Sequence, residues 1–259
     1  VSHHFTPFTA GRILPWLLPY PQLAWNIMTV GRTRTFYHET AARGGNGLGD
    51  REGTRGGRRR GAGPRTPVVV LEPEPLSLVF SAFFRGMLFV FPAGLVEKVI
   101  SGPLSFSPLV TSFFGVALIE EGCKWLALKR YILSSECDEC YDGIVYGTSV
   151  ALGFATMENL FYVVGSINPW AVAGWRALVS VPLHALCGLA MGYEAARQKM
   201  TAGPPFALAK ILTIPVIAHG AFNYLLLTNT LGGFMAATWI VAAMWIGGFR
   251  MIHRSRTCS

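Results

Sequence analysis

Charge is what this chain has least of. Only 14% of its 259 residues are Asp, Glu, Lys or Arg, whereas soluble domains carry about a quarter, so an ordinary soluble globule is excluded. Cysteine is sparse as well: there are five, and Cys123 and Cys187 fall inside apolar stretches, which argues against a secreted disulfide framework. Cys137 and Cys140 form one C-x-x-C in the loop SECDECYDG. A zinc clip needs a second ligand pair and the loop supplies none, so two thiols in a reducing cytoplasm are expected. The chain also lacks H-E-x-x-H, a Ser or Cys plainly paired with a histidine, and a signal-peptide pattern. No internal repeat of the kind that marks duplicated transporter halves is present.

What is there is hydrophobic, 51% of the chain, and unevenly spread. Residues 1–70 are polar and rich in glycine and arginine, with the run RGGNGLGDREGTRGGRRRGAGPR at 43–65. Such low complexity predicts a disordered tail, solvated and positive, with no nucleic-acid partner expected. The apolar segment 13–30 holds Pro15, Pro19 and Pro21, too many for a regular spanning helix. The chain opens on Val1, which leaves open a truncated or misassigned start.

From residue 71 onward six runs are long and apolar enough to cross a bilayer, about 76–96, 106–128, 143–165, 172–194, 207–228 and 232–250. The short links hold turn residues such as Gly102-Pro103, Asn168-Pro169, Gly203-Pro204-Pro205 and Gly232-Gly233. The expected fold is an all-α, polytopic membrane helix bundle of about six transmembrane helices, 71–252, ending in a cytoplasmic tail at 253–259. Lys and Arg alternate cleanly between its connections. Arg58, Arg59, Arg60 and Arg65 precede the first run, Lys129 and Arg130 follow the second, Arg197, Lys199 and Lys210 follow the fourth, and Arg250, Arg254 and Arg256 follow the sixth. The positive-inside rule then predicts a multi-pass cell-membrane protein with both ends of this domain in the cytoplasm.

Against this background five ionisable residues stand out: Glu120, Glu121, Glu158, His184 and His219, spread over four of the runs. Such groups are costly in hydrocarbon and mark functional sites. Glu120 and Lys124 are one helical turn apart, and Glu121 is three residues from the same lysine, so Lys124 can keep one carboxylate ionised while the other acts as base. Phe154 lies one turn below Glu158 and is a candidate pocket floor, with Asn159 adjoining. Pro182, two residues before His184, is expected to loosen that helix, and Gly188 to allow close approach of a neighbour. His219 and Asn223 share a face, aiming a proton carrier and an amide donor at one spot, as an oxyanion site requires. At about 1.5 Å rise per residue these groups fall within roughly 10 Å of one depth.

A base, a proton carrier, an amide donor and a second carboxylate suit attack of water on an amide. Two routes are open from the residues alone. Glu158, His184 and His219 form a two-histidine, one-carboxylate set with which zinc is compatible, Glu120 then activating the bound water; without metal, Glu120 and Glu158 would polarise water directly. A proton- or metal-coupled transporter and a non-catalytic membrane scaffold are the alternatives.

EEGCK, GFATMEN, the isolated His184 and HGAFN, in this order on successive helices, resemble the PrsW family of intramembrane proteases, related to the CAAX-processing and bacteriocin-processing membrane proteases. DGIVYG at 142–147 and LEPEPLSLVFSAF at 71–83 resemble its members too. The resemblance covers about 71–250 and implies a catalytic set of Glu120, Glu121, Glu158, His184, His219 and Asn223, with Lys124 supporting the glutamate pair. It further implies a single-pass membrane protein as substrate, such as an anti-sigma factor, cut near the outer face. Family members usually carry further spans before the EPEP segment, where this chain has its arginine-glycine tail.

Overall fold

The structure is a computed structural model and describes residues 32–37, 67–72, 74–101, 107–203, 205–256 and 258. The 13–30 and 43–65 segments and the Gly102-Pro103 turn lie outside these. Two strands, β1 (Arg32–Tyr37) and β2 (Pro67–Glu72), pair antiparallel with Arg32 opposite Glu72. Everything described after them that is regular is helical: α1 (Leu76–Ser101), α2 (108–132), α3 (Cys140–Val164), α4 (Pro169–Thr201), α5 (Leu208–Leu227) and α6 (Leu231–Ser255). Each helix contains or closely tracks one of the six apolar runs. Leu76–Ile100 and the whole of α4, α5 and α6 are long and apolar enough to cross a membrane by themselves. The other two, α2 and α3, carry the glutamates Glu120, Glu121 and Glu158.

Local chemistry explains the breaks. Asn168 accepts a hydrogen bond from Ala171 N at 3.3 Å and Thr230 Oγ1 from Gly233 N at 3.0 Å, each satisfying an orphan donor of a helix start. Asp142 caps α3 by accepting from Glu139 N at 2.8 Å and Asp138 N at 3.0 Å. Helix α2 widens over Thr111–Ala117 and α4 over Arg176–Ser180; wide turns of this kind take in an extra residue and cluster at functional sites. The second ends two residues before Pro182, the residue expected to loosen that helix, because proline removes a backbone donor.

Helix α3 is the centre: Cys140–Ala151 is buried without interruption. The outer helices turn apolar stripes outward, Phe80, Phe84, Leu88, Phe91 and Leu95 on α1 and Leu231, Met235, Trp239, Ile246 and Phe249 on α6, as a lipid-facing surface does. In lipid, contact between helices depends on close van der Waals approach, and α3 comes closest to α4 through glycine and alanine, Ala151 and Ala196 flanking the glycine pairs. Gly143 faces Gly192 and Gly147 faces Gly188, so that a Cβ added to Gly192 would sit 1.8 Å from Gly143 O. A second crossing sets Gly153 on the Phe83 carbonyl of α1.

The C-x-x-C does not remain two loop thiols. Cys140 forms a disulfide with Cys258, 118 residues away, tying the start of α3 to the end of the chain. Cys137 stays a free, buried thiol. Burial first, and the nearby Asp142 charge second, push it up to about 12, so it is unreactive. Beside this tie, Tyr146 donates to Glu74 Oε2 at 2.6 Å. Lys199 donates to the carbonyls of Ser134 and Cys137, each at 2.7 Å.

Candidate active site

Helices α2 to α5 line an open cavity of about 270 Å³. Glu120 of α2, Glu158 of α3, Arg176 and His184 of α4, and His219 and Asn223 of α5 line it. Four of the five ionisable residues singled out from sequence therefore meet at one space, and the fifth, Glu121, stands directly behind it.

Glu121 and Lys124 hold the site from within the bundle. Both are almost wholly buried. Lys124 Nζ donates to Glu121 Oε1 at 2.8 Å, and His219 Nδ1 lies 2.8 Å from the same oxygen. Lys124 Nζ is also 2.8 Å from His184 Nδ1, 3.6 Å from Glu120 Oε2 and 4.5 Å from the centre of the Phe154 ring. The lysine thus touches both glutamates, as expected, and additionally a histidine on another helix. The two imidazoles pack edge to face with centres 4.9 Å apart.

Glu158 sits on the far side of the cavity. Its Oε1 accepts from Arg176 Nη2 at 2.7 Å, and its Oε2 lies 3.1 Å from His184 Nε2 without accepting a hydrogen bond. Arg176 also donates to Asn159 Oδ1 and lies over the Tyr162 ring at 3.9 Å. The sequence pattern missed Arg176 as a site residue, because it reads as one positive charge near the start of a span. Its widened turn is what carries it onto the side of His184: the extra residue lets the eight positions between them close on two turns. Phe154 is no pocket floor. It is 1% exposed, stacks on His184 with ring centres 6.3 Å apart, and backs Lys124. Asn159 is set back as a partner of Arg176.

The donor set can be tested against a metal ion. One atom each from Glu120, His184 and His219 lie within 4.8 Å of one another, and all three residues are buried. Two nitrogens and one oxygen are the ligand types of catalytic zinc. Glu120 Oε2 is buried with no hydrogen-bond partner, an exception that asks for a cation or a proton. Glu121 accepts from Lys124 and lies 2.8 Å from His219 Nδ1, while His219 Nε2 is 3.8 Å from Glu120 Oε2. A carboxylate behind a ligating histidine is the usual outer shell of a metal site. The residues fit one ion. The carboxylate in the set differs from the one expected: Glu120 shares space with both rings, while Glu158 is taken up by the guanidinium of Arg176.

A family model described as "PrsW family intramembrane metalloprotease" matches residues 74–247. The chain is 36% identical over 177 residues to "Protease PrsW" of Geobacillus kaustophilus, covering 67% of this chain and 78% of that protein. It is 33% identical over 178 residues to "Protease PrsW" of Bacillus subtilis, covering 67% and 81%. With "Protease PrsW" of Clostridioides difficile the identity is 31% over 147 residues, covering 54% and 62%. No solved structure matches the chain.

Proposed function

Because the chain belongs to the PrsW family of intramembrane metalloproteases, and is thus an intramembrane endopeptidase in a multi-pass membrane bundle, we propose that it hydrolyses a peptide bond of a membrane-anchored protein in the cavity of Glu120, Glu158, His184 and His219. The observation that carries this reading is the orphaned, buried Glu120 Oε2 beside two imidazoles. Glu120, His184 and His219 would hold the ion, and zinc is the one their chemistry favours. When bound, such an ion polarises a carbonyl and acidifies water.

The chain's own groups do the rest. Glu158 takes the proton of the attacking water, since Arg176 anchors one of its oxygens and leaves the other facing the cavity. This exchanges the roles expected of the two glutamates, and the reason is the salt bridge: a carboxylate already neutralised by a guanidinium is the poorer partner for an ion. Asn223 lines the same cavity and offers a neutral amide donor to the oxygen that becomes charged as the carbonyl is attacked. Glu121 and Lys124 orient the histidines. The low dielectric around these groups strengthens each contact.

The substrate we propose is a single-pass membrane protein of the anti-sigma-factor type. We also propose six crossings, 71–252 as the protease domain, and both its ends in the cytoplasm. In that orientation the cavity lies toward the outer ends of α3 and α5, which supports a cut near the outer face. The test is metal analysis of the purified protein together with cleavage of an anchored reporter peptide. One zinc per chain, lost with His219→Ala, and cleavage abolished by Glu120→Gln in a folded protein are expected. Retained cleavage by Glu120→Gln would refute the assignment.

A further inference from the structure

We propose that Phe222 and Leu226 of α5, with Val116 of α2, form the subsite that selects the substrate. It takes a large apolar side chain on the residue next to the scissile bond, toward the outer ends of α3 and α5. This subsite rests on the proteolytic reading above and follows from the two unlike walls of the cavity. Helices α3 and α4 give it Glu158, Tyr162, Arg176 and Ser180, all polar or charged. Helices α2 and α5 face them differently: beyond Glu120 and His219 their lining residues include Val116, Phe222 and Leu226. Phe222 is buried, and Val116 and Leu226 are half-buried. This apolar wall thus belongs to the interior of the bundle, unlike the exposed stripes of α1 and α6.

Helix geometry sets the distances. Phe222 and Leu226 follow His219 by three and seven residues, on one face of α5. At about 1.5 Å rise per residue they stand about 4.5 and 10 Å further out. An extended peptide advances about 3.3–3.6 Å per residue. With the scissile carbonyl beside His184, His219 and Asn223, the next residue outward comes close to the level of Phe222. Its side chain then falls among Phe222, Leu226 and Val116. The main chain has the opposite need, because peptide groups freed from a helix in lipid must find partners. The hydroxyls of Ser180 and Tyr162 stand on the other wall to supply them. The groove therefore sorts an unwound segment, with main chain toward α3 and α4 and an apolar side chain toward α5. A hydrophobic pocket discriminates by about 10–200-fold for a single methylene.

The test uses the full-length chain in nanodiscs and single-span reporter peptides that differ at one residue. Leucine or alanine is placed next to the scissile bond on its outer side and, in a second series, on its inner side, with the cut mapped by mass spectrometry. At the outer position leucine should exceed alanine at least tenfold in kcat/KM. Leu226→Trp fills the subsite and should reverse that order. Equal kcat/KM for the two outer residues in wild type, a leucine preference on the inner side instead, or a folded Leu226→Trp with the order unchanged would overturn the proposal. The wild-type series decides if Leu226→Trp does not fold. Binding is read separately in Glu120→Gln, with a diazirine analogue of leucine scanned through the middle of the reporter. Cross-links to residues 222–227 of α5 are expected from at least one position, and their absence would also overturn the subsite. Cross-links to α5 without cleavage by wild type would sink the proteolytic reading and leave the subsite. Cleavage without residue preference would do the reverse.

Discussion

Replacing Gly192 with alanine adds one carbon at the place where α3 and α4 touch backbone to backbone. That carbon would lie 1.8 Å from Gly143 O and 2.7 Å from Gly143 C, where ordinary contact begins near 3.4 Å. The helices must separate by about 1.6 Å, and the obstacle is main chain, which has no rotamer to change. Overpacking a tight core costs about 1–3 kcal/mol, and this site lies at the upper end because nothing nearby can yield. The functional loss should be larger than the stability loss. His184 and Glu158 ride on these two helices, 3.1 Å apart, and a misplacement of about 1 Å at a reacting centre costs roughly 100-fold in rate. Thermal unfolding in detergent and cleavage of an anchored reporter measure the two effects. Gly94→Ala, where nothing lies within 4 Å, is the control and should be neutral or stabilising by about 0.4–1 kcal/mol. A Gly192→Ala protein with the wild-type melting temperature and rate would refute the argument.

Other perturbations separate the layers of the site. Glu121→Gln removes the closer of the two carboxylates on buried Lys124, leaving Glu120 Oε2 at 3.6 Å, and weakens the His219 anchor, so unfolding should become easier by up to about 3–5 kcal/mol, read in the same melt. Arg176→Gln leaves Glu158 without its partner; kcat should fall tenfold or more with KM nearly unchanged, in steady-state reporter cleavage. Removing zinc with a chelator should stop cleavage, and stoichiometric Zn²⁺ should restore it. In purified protein under oxidising conditions, where the tie spanning 118 residues is closed as it would not stay in a reducing cytoplasm, Cys140→Ser should cost about 2–4 kcal/mol of stability while leaving the cleavage rate in place.

Much of this architecture was legible in the sequence because a bilayer imposes a simple rule: apolar runs of sufficient length become helices, and a charge inside one is there for a reason. That rule gave all six helices and the grouping of Glu120, Glu158, His184 and His219. It also drew Asn223 into the set, and the structure places that residue on the cavity wall. What escaped depends on where helices rotate and cross. Arg176 reads as one charge near the start of a span until a widened turn carries it inward. The bond between Lys124 and His184 spans 60 positions, and only the distance between two helices reveals it. Phe154 was expected beneath the pocket, and the packing of α3 against α4 puts it behind Lys124 instead. The partner of Cys140 lies in the last residues of the chain, where no spacing pattern points to it.

The disulfide and the glycine contacts stand at the same end of the bundle, around Cys140, Gly143 and Gly192, whereas Glu158, Arg176 and Asn223 stand toward the other. One end carries the disulfide and the closest α3–α4 backbone contacts; toward the other, helices α3 and α4 are joined by side chains such as Glu158, Arg176 and His184. On the proposed reading, a polypeptide admitted for cutting would spread the second more easily, as a clothes-peg opens at the jaws and not at the spring. Amide exchange should record that gradient, slowest along the first half of α3 and fastest where α3 passes into α4.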